Sequence, residues 1–364
     1  MFEPALEDDY TPAMAPDQPR TRWTTETLSA QNLRGADDHD AAWRARLITP
    51  DDPDYDQALH LAVVGRAPRH SGRRHPAVVE LLSDVAAGPL RIALVHGAFR
   101  NGGLVSAVLA VESPGGSALV LIPHDDFESD RLPGTGLALR ALASAAWTRS
   151  AILLEVLLPP ELAHLADMLK SAGFRHLTNL LYLLRSTVSS PAFQARGTNF
   201  GALTWATYSE STQSLFCEAV RRSYVQSSDC PELTAIRTPQ QAIASHQTAG
   251  THDPNLWFVA MRANDPVGVL LLSRMRRQPA VEIVYMGVAQ PARGTGVADA
   301  LMVRAVETAR SASATRMALA VDARNAPARR FYSRWGFVEV GGRSAWIATP
   351  GDTETWNPRR GFQH

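Results

Sequence analysis

The residues Arg293-Gly294-Thr295-Gly296-Val297-Ala298 have the types and spacing to hold an anion. They follow the apolar run Val281-Glu282-Ile283-Val284-Tyr285-Met286-Gly287-Val288 and open a helical pattern from Val297 to Ala309. A strand, a tight glycine loop and a helix N-terminus turn several backbone N–H groups toward one point, and the helix dipole adds partial positive charge there. Glycine suits such a loop because no Cβ blocks a close anion and positive φ is tolerated. The chemistry this predicts is the grip of a phosphate. The pattern is not a P-loop, since no Gly-Lys-Ser/Thr follows, and not a dinucleotide fingerprint, since the third glycine and the distal acid are missing. An ordinary strand-to-helix turn uses Gly-x-Gly as well.

Elements that would position this loop lie on both sides of it. Downstream, Met317 to Val321 reads as a buried strand. Asn325 can cap a helix whose first turn holds Pro327, where a missing N–H costs nothing, and Gly336 can end it. Phe337-Val338-Glu339-Val340 and Ser344-Ala345-Trp346-Ile347 then read as closing strands. Upstream, the order is a strand at 202–207, helices at 212–224 and 238–248, strands at 257–261 and 267–273, and the central strand 281–288.

This combination resembles the GCN5-related N-acetyltransferase (GNAT) superfamily. Arg293-x-x-Gly296-x-Ala298 fits that superfamily's Gln/Arg-x-x-Gly-x-Gly/Ala loop, and Asn325, Ala328, Phe331-Tyr332 and Gly336-Phe337 fit its downstream strand–helix motif. The resemblance is clear over 203–348 and fainter over 44–186. It implies acetyl-coenzyme A as acyl donor. The N–H groups of Gly294, Thr295, Gly296, Val297 and Ala298 would face the pyrophosphate, with Arg293 contributing its backbone. Met286 and Val288 would offer main-chain groups to the pantetheine arm, and Asn325 would bond the cofactor, cap the helix, or do both.

Acetyl transfer to an amine needs the neutral amine, and a primary amine of pKa ~10 is mostly ammonium at pH 7. A base must take a proton, directly or through water, and an acid near the sulfur helps the thiolate leave. Glu282, in a segment similar to the glutamate-bearing strand of the histone-acetylating branch, is the candidate base. An outward, solvated strand residue is the plain reading of the same position, and Tyr285, of opposite strand parity, is the fallback. Tyr332, which the resemblance places beside the thioester sulfur, is the candidate acid; its plain reading is a core aromatic.

The fainter half echoes the clear one. Leu132-Pro133-Gly134-Thr135-Gly136-Leu137-Ala138 parallels the loop at 293–298, a strand follows at 152–158 and a helix at 161–171, and Ala172-Gly173-Phe174 parallels Trp335-Gly336-Phe337. A repeat this long marks a duplicated domain, not a solenoid. The copies differ where chemistry would sit. Leu169 stands in the slot of Tyr332, Pro133 in that of Arg293, and Pro159-Pro160 replace the capping asparagine. The expectation is an α/β (α+β) fold of two tandem GNAT-like domains, each a mixed, mostly antiparallel sheet flanked by helices, similar to the tandem arrangement of mycothiol synthases. Its boundaries are a disordered arm at 1–40, a degenerate copy at 41–186, a linker at 187–201, a catalytic domain at 202–348 and a polar tail at 349–364.

Bulk properties narrow the partners. The chain has 364 residues with Lys+Arg 36 and Asp+Glu 36, so no global charge draws it to nucleic acid or an anionic membrane. Its two cysteines, Cys217 and Cys230, make no disulfide framework, and no Cys/His spacing fits zinc. No apolar stretch reaches membrane-span length and no signal peptide opens the chain, which predicts a cytoplasmic protein. The basic stretch 66–75 reads as a solvated loop. The expected acceptor is a primary amine of a small molecule or peptide. The segment 223–233, with Asp229, Cys230 and Glu232, falls where the family shapes its acceptor pocket, and ordinary loop and cap roles fit those residues equally. Two other classes stay open: a non-catalytic acyl-coenzyme A sensor and a tandem-fold aminoacyl transferase. The oligomeric state is not legible.

Overall fold

The computed structural model describes residues 42–66, 74–123, 129–188 and 203–352. The predicted arm, most of the linker, the middle of the basic stretch and the end of the tail lie outside these residues. The first half contributes β1 (Arg44–Leu47), α1 (Tyr55–Val64), α2 (Pro76–Ala87), β2 (Arg91–Arg100), β3 (Gly103–Glu112), β4 (Ser117–Leu121), α3 (Leu132–Thr148), β5 (Leu153–Leu158), α4 (Ala166–Ser171) and β6 (Arg175–Ser186). The second contributes β7 (Leu203–Thr207), α5 (Gln213–Tyr224), α6 (Pro239–His246), β8 (Trp257–Arg262), β9 (Asp265–Arg274), β10 (Ala280–Val288), α7 (Val297–Ser311), β11 (Arg316–Asp322), α8 (Ala326–Arg334) and β12 (Val338–Ala348).

Among the described residues all twelve strands join one sheet in the order β1-β2-β3-β4-β5-β12-β6-β11-β10-β9-β8-β7. The order mirrors itself about its centre, as a duplicated unit requires. The two final strands, however, are exchanged. β12 pairs with β5 of the first half, and β6 pairs with β11 of the second, while the two pair with each other. The expected pair of separate sheets is thus a single one, in which each half is completed by the other's last strand. Within it only β4–β5 and β10–β11 run parallel.

Two local expectations change. The closing segments at 337–340 and 344–347 are one strand, bent at irregularities after Glu339 and after Ala345. The helix expected at 161–171 begins as a 3-10 turn, Pro160–Leu165, and becomes regular only in α4. Pro159 and Pro160 fix φ and remove donors there, and Leu162 leaves helical geometry at φ −98, ψ 16.

The apolar core divides accordingly. One cluster packs α5 and α7 against β8 to β11, two pack the helices of the first half against their strands, and a small fourth cluster (Leu153, Leu177, Ala345, Ile347) lies under the seam between halves. The seam is also tied by charge. Arg277, in the turn between β9 and β10, pairs with Glu80 and Asp84 of α2.

Candidate active site

β10 and β11 pair only from Ala280↔Arg316 to Ile283↔Leu319. Beyond that point β10 stays with β9 as far as Val288, after a register shift between Ile283 and Tyr285, and β11 stays with β6 as far as Asp322. The parallel pair therefore splays, and a cleft of about 620 Å³ opens between the diverging ends. Ala289 donates its N–H to Val267 of β9 at 3.0 Å. By the alternation of a strand, Met286 and Val288 turn their main-chain groups the other way, into the gap.

The glycine loop closes one end of this cleft. Gly294 and Gly296 both have positive φ, at 77° and 87°, and a Cβ on Gly294 would meet nothing within 4 Å. The first helical bond of α7 is from Ala300 to Gly296, so Val297, Ala298 and Asp299 have no partner within the helix for their N–H groups. Two amides of the loop are used inside it: Arg293 donates to Gln290 O at 3.3 Å and Thr295 to Ala292 O at 3.4 Å. The Arg293 side chain is a clamp. It donates to the carbonyls of Ser223, Val225, Gln226 and Val288 at 2.7–3.2 Å, locking the C-terminus of α5 to the loop. A cation suits that helix end, where carbonyls converge.

The corresponding loop of the first half is not a loop. Residues 132–138 are the first turns of α3, with Gly134, Thr135 and Gly136 buried. Trp43 packs against Gly134, where an added Cβ would lie 2.3 Å from its ring. Ser106 and Thr135 share a hydrogen bond of 2.6 Å beneath.

Tyr332 reaches the cleft from α8. It is 7% exposed, and burial, helped by the charge of Asp229, pushes its phenol well above the ordinary value. Its hydroxyl has no hydrogen-bond partner among the described residues. Asn325 caps α8, accepting from Ala328 N–H at 3.2 Å, and its side chain lines the same cleft. Tyr285 is a packed residue: its hydroxyl bonds Ser223 Oγ at 2.7 Å and its ring stacks on His246 at 5.5 Å.

Glu282 is half-buried on β10, opposite Ser273 and Ala318. The wall of the cleft on this strand begins at Ile283. Glu282 instead shares a face with Tyr182 of β6, whose phenol is pushed up by burial, while Arg343 pulls it down and Glu282 pushes it up. Tyr182 lines a second cavity of about 220 Å³, and Val284, at the bulge, lines both. The two cavities thus meet at the point where β10 departs from β11.

Asp229 is the carboxylate on the cleft side that sequence reasoning left among loop residues. Burial raises its pKa, opposed by the Asp322 N–H at 3.3 Å and by Asn325. Its neighbours in the segment 223–233 are structural. Glu232 pairs with Arg324 at 2.7 Å, and the Cys230 thiol is pushed up by burial and by the nearby Asp229 and Asp322 charges. Asp322 is fully buried. It accepts from Thr178 Oγ1 at 2.6 Å, Cys230 N–H at 3.0 Å and Arg324 at 2.8 Å. Arg324 is two residues away, but Thr178 and Cys230 come from distant parts of the chain, and no local pattern announces them. Among the described residues no group of three His, Cys, Asp or Glu could hold a metal ion, and no helix is long and apolar enough to cross a membrane.

A parallel pair that splays onto a glycine loop and a helix N-terminus defines an acyltransferase-type fold. Residues 219–337 match the acetyltransferase (GNAT) family model. Solved structures extend the likeness of fold to both halves. A GCN5-related N-acetyltransferase from Sphaerobacter thermophilus matches with a TM-score of 0.55 at 18% identity, over 84% of this chain and 95% of that one. A tandem GNAT protein from the clavulanic acid biosynthesis pathway matches with a TM-score of 0.51 at 14% identity, over 85% of this chain and 98% of that one. No curated protein sequence matches the chain.

Proposed function

We propose that the protein transfers an acetyl group from acetyl-coenzyme A to a primary amine by direct attack. The observation that carries this reading is the splay of β10 from β11 beyond Ile283 and Leu319, opening onto the amides of the loop at 294–298. These residues suit an acyl-coenzyme A: Gly294 leaves open space, the first turn of α7 has donors without helical partners, and Met286 and Val288 present main-chain groups along the arm.

In the reaction the amine nitrogen attacks the thioester carbonyl carbon. A C–N bond forms, the C–S bond breaks, and the nitrogen loses one proton. Glu282 takes that proton, directly or through water, from the face it shares with Tyr182. Tyr332 gives a proton to the departing thiolate. Val284, common to both cavities, marks where amine and thioester meet. Asp229 is a second candidate base, favoured by its position on the cleft beside Tyr332.

The test is thermal stabilisation by acetyl-coenzyme A followed by thiol release with an amine panel. Stabilisation and turnover support the transferase. Stabilisation without turnover on any amine points to a sensor module, and neither points away from coenzyme A. Gly296→Glu places a carboxylate in the amide cradle and should abolish the stabilisation.

A further inference from the structure

The cavity that meets the coenzyme cleft at Val284 is built by both halves of the chain. From Val284 on β10 it runs past Tyr182 and Leu180 of β6 to Leu157 and Glu155 of β5, and on to Ser117 of β4. β5 and β10 are separated by β12, β6 and β11. At about 4.8 Å per strand, the way from Val284 to Glu155 is on the order of 19 Å along the sheet. The middle of this path is apolar: Leu157, Leu177 and Leu180 form its floor.

The two ends differ in charge. At the β10 end lie Arg237 and His246. The buried Nε of Arg237 and Nε2 of His246 have no hydrogen-bond partner among the described residues. Burial, assisted by the Arg237 charge, drives the imidazole pKa down to about 3, so the ring is neutral. In the cavity's own lining at this end a cation and a neutral ring offer an ammonium no lasting partner, while Glu282 on the adjoining face can take its proton. At the far end, Glu155 makes no ion pair or side-chain hydrogen bond among the described residues, and it lines the cavity. Ser117 is 5% exposed, and its Oγ is buried without a hydrogen-bond partner among the described residues. Leu119 pairs with Glu155 and Ser117 with Leu153, so both polar side chains stand on one face, two residues apart along the strands. Glu155 therefore offers the cavity a half-buried carboxylate that no protein cation occupies among the described residues. Asp84, the other acid lining the cavity, is already paired with Arg277.

We infer that this cavity takes an elongated, two-ended amine: one amino group reaches the thioester at Val284, an apolar chain crosses Leu157, Leu177 and Leu180, and a second, charged ammonium rests on Glu155 and Ser117. The inference rests on the transferase reading above and names the class of its acceptor. One end is acetylated by the step already written, and the other keeps its proton and its charge.

The experiment compares diaminodecane with decylamine, and with diaminobutane as a diamine too short to bridge the ends, on the full chain. Thiol release from acetyl-coenzyme A gives kcat/KM, and calorimetry gives the dissociation constant of each amine independently of turnover. The long diamine should exceed the monoamine by about tenfold or more, the scale of a charged hydrogen-bonded contact. The short diamine should show no such advantage. In Glu155→Gln the ratio of long diamine to monoamine should fall to near one, chiefly through KM and the dissociation constant. Equal kcat/KM and equal binding of diaminodecane and decylamine would overturn the inference and leave the transferase standing. A ratio that survives in Glu155→Gln would overturn the assignment of the far end. If no amine turns over, the transferase reading fails, and the calorimetric ratio still decides what the cavity binds.

Discussion

Trp346, on the last strand of the second half, pairs with Val156 of the first. It belongs to the core of the first half, beside Leu154, Val156 and Leu158. In return, Leu183 of β6 packs in the core of the second half. The halves therefore share two strands although the second alone lines the cleft between β10 and β11.

This exchange predicts that residues 203–352 do not fold by themselves. Without β6, β11 loses its antiparallel partner and β12 has no neighbour on either side, so long apolar edges are exposed. The fragment should aggregate or melt without cooperativity, and co-expression with residues 42–188 should restore both solubility and stabilisation by acetyl-coenzyme A. A fragment that melts sharply alone would show that the exchange is dispensable.

Tyr332→Phe should impair chemistry more than binding. The ring keeps its contacts with Phe331 and Phe337, and only a hydroxyl with no protein partner among the described residues is lost. Then kcat and kcat/KM fall together, while affinity for acetyl-coenzyme A changes by less than ~1 kcal/mol. Unchanged kcat, with chemistry shown to be rate-limiting, would exclude the acid role.

The two candidate bases separate by variant. Glu282→Gln should lower turnover by ~10²–10⁴-fold below the pH at which the amine deprotonates itself, and by little above it. Asp229→Asn should leave that pH dependence in place if Glu282 is the base. A profile that flattens in Asp229→Asn and is untouched in Glu282→Gln reverses the assignment.

Asp322 predicts an acid-sensitive step in stability. Burial raises its pKa, but Arg324, Thr178 and the Cys230 N–H outweigh that and hold it down to about 2. A depressed carboxylate contributes stability that is fully present above its unfolded value and is lost as pH falls through the folded one. The window therefore runs from about pH 4 to about pH 2. Asp322→Asn should lose on the order of 2 kcal/mol at pH 7, and its denaturant midpoint should be flatter across that window. Parallel midpoints of variant and wild type across that window would show that Asp322 is not the group responsible.

What the sequence determined by itself was the local chemistry of the second half. The apolar period of 281–288, the glycines at 294 and 296 and the cap at Asn325 each act within a few residues, so their spacing already states their geometry. The duplication was legible for the same reason, because Gly173-Phe174 repeats Gly336-Phe337. The exchange of β6 and β12 was not, since a strand's pattern records that one face is buried and not which neighbour it pairs with. Nor was the packing of residues 132–138: the sequence marks this copy as degenerate, but only the fold brings Trp43, from far along the chain, against Gly134. The site beyond the coenzyme cleft was likewise decided by tertiary structure. Glu155, Ser117, Tyr182, Arg237 and His246 come from four elements and a loop of both halves, and only the shared sheet brings them to one cavity.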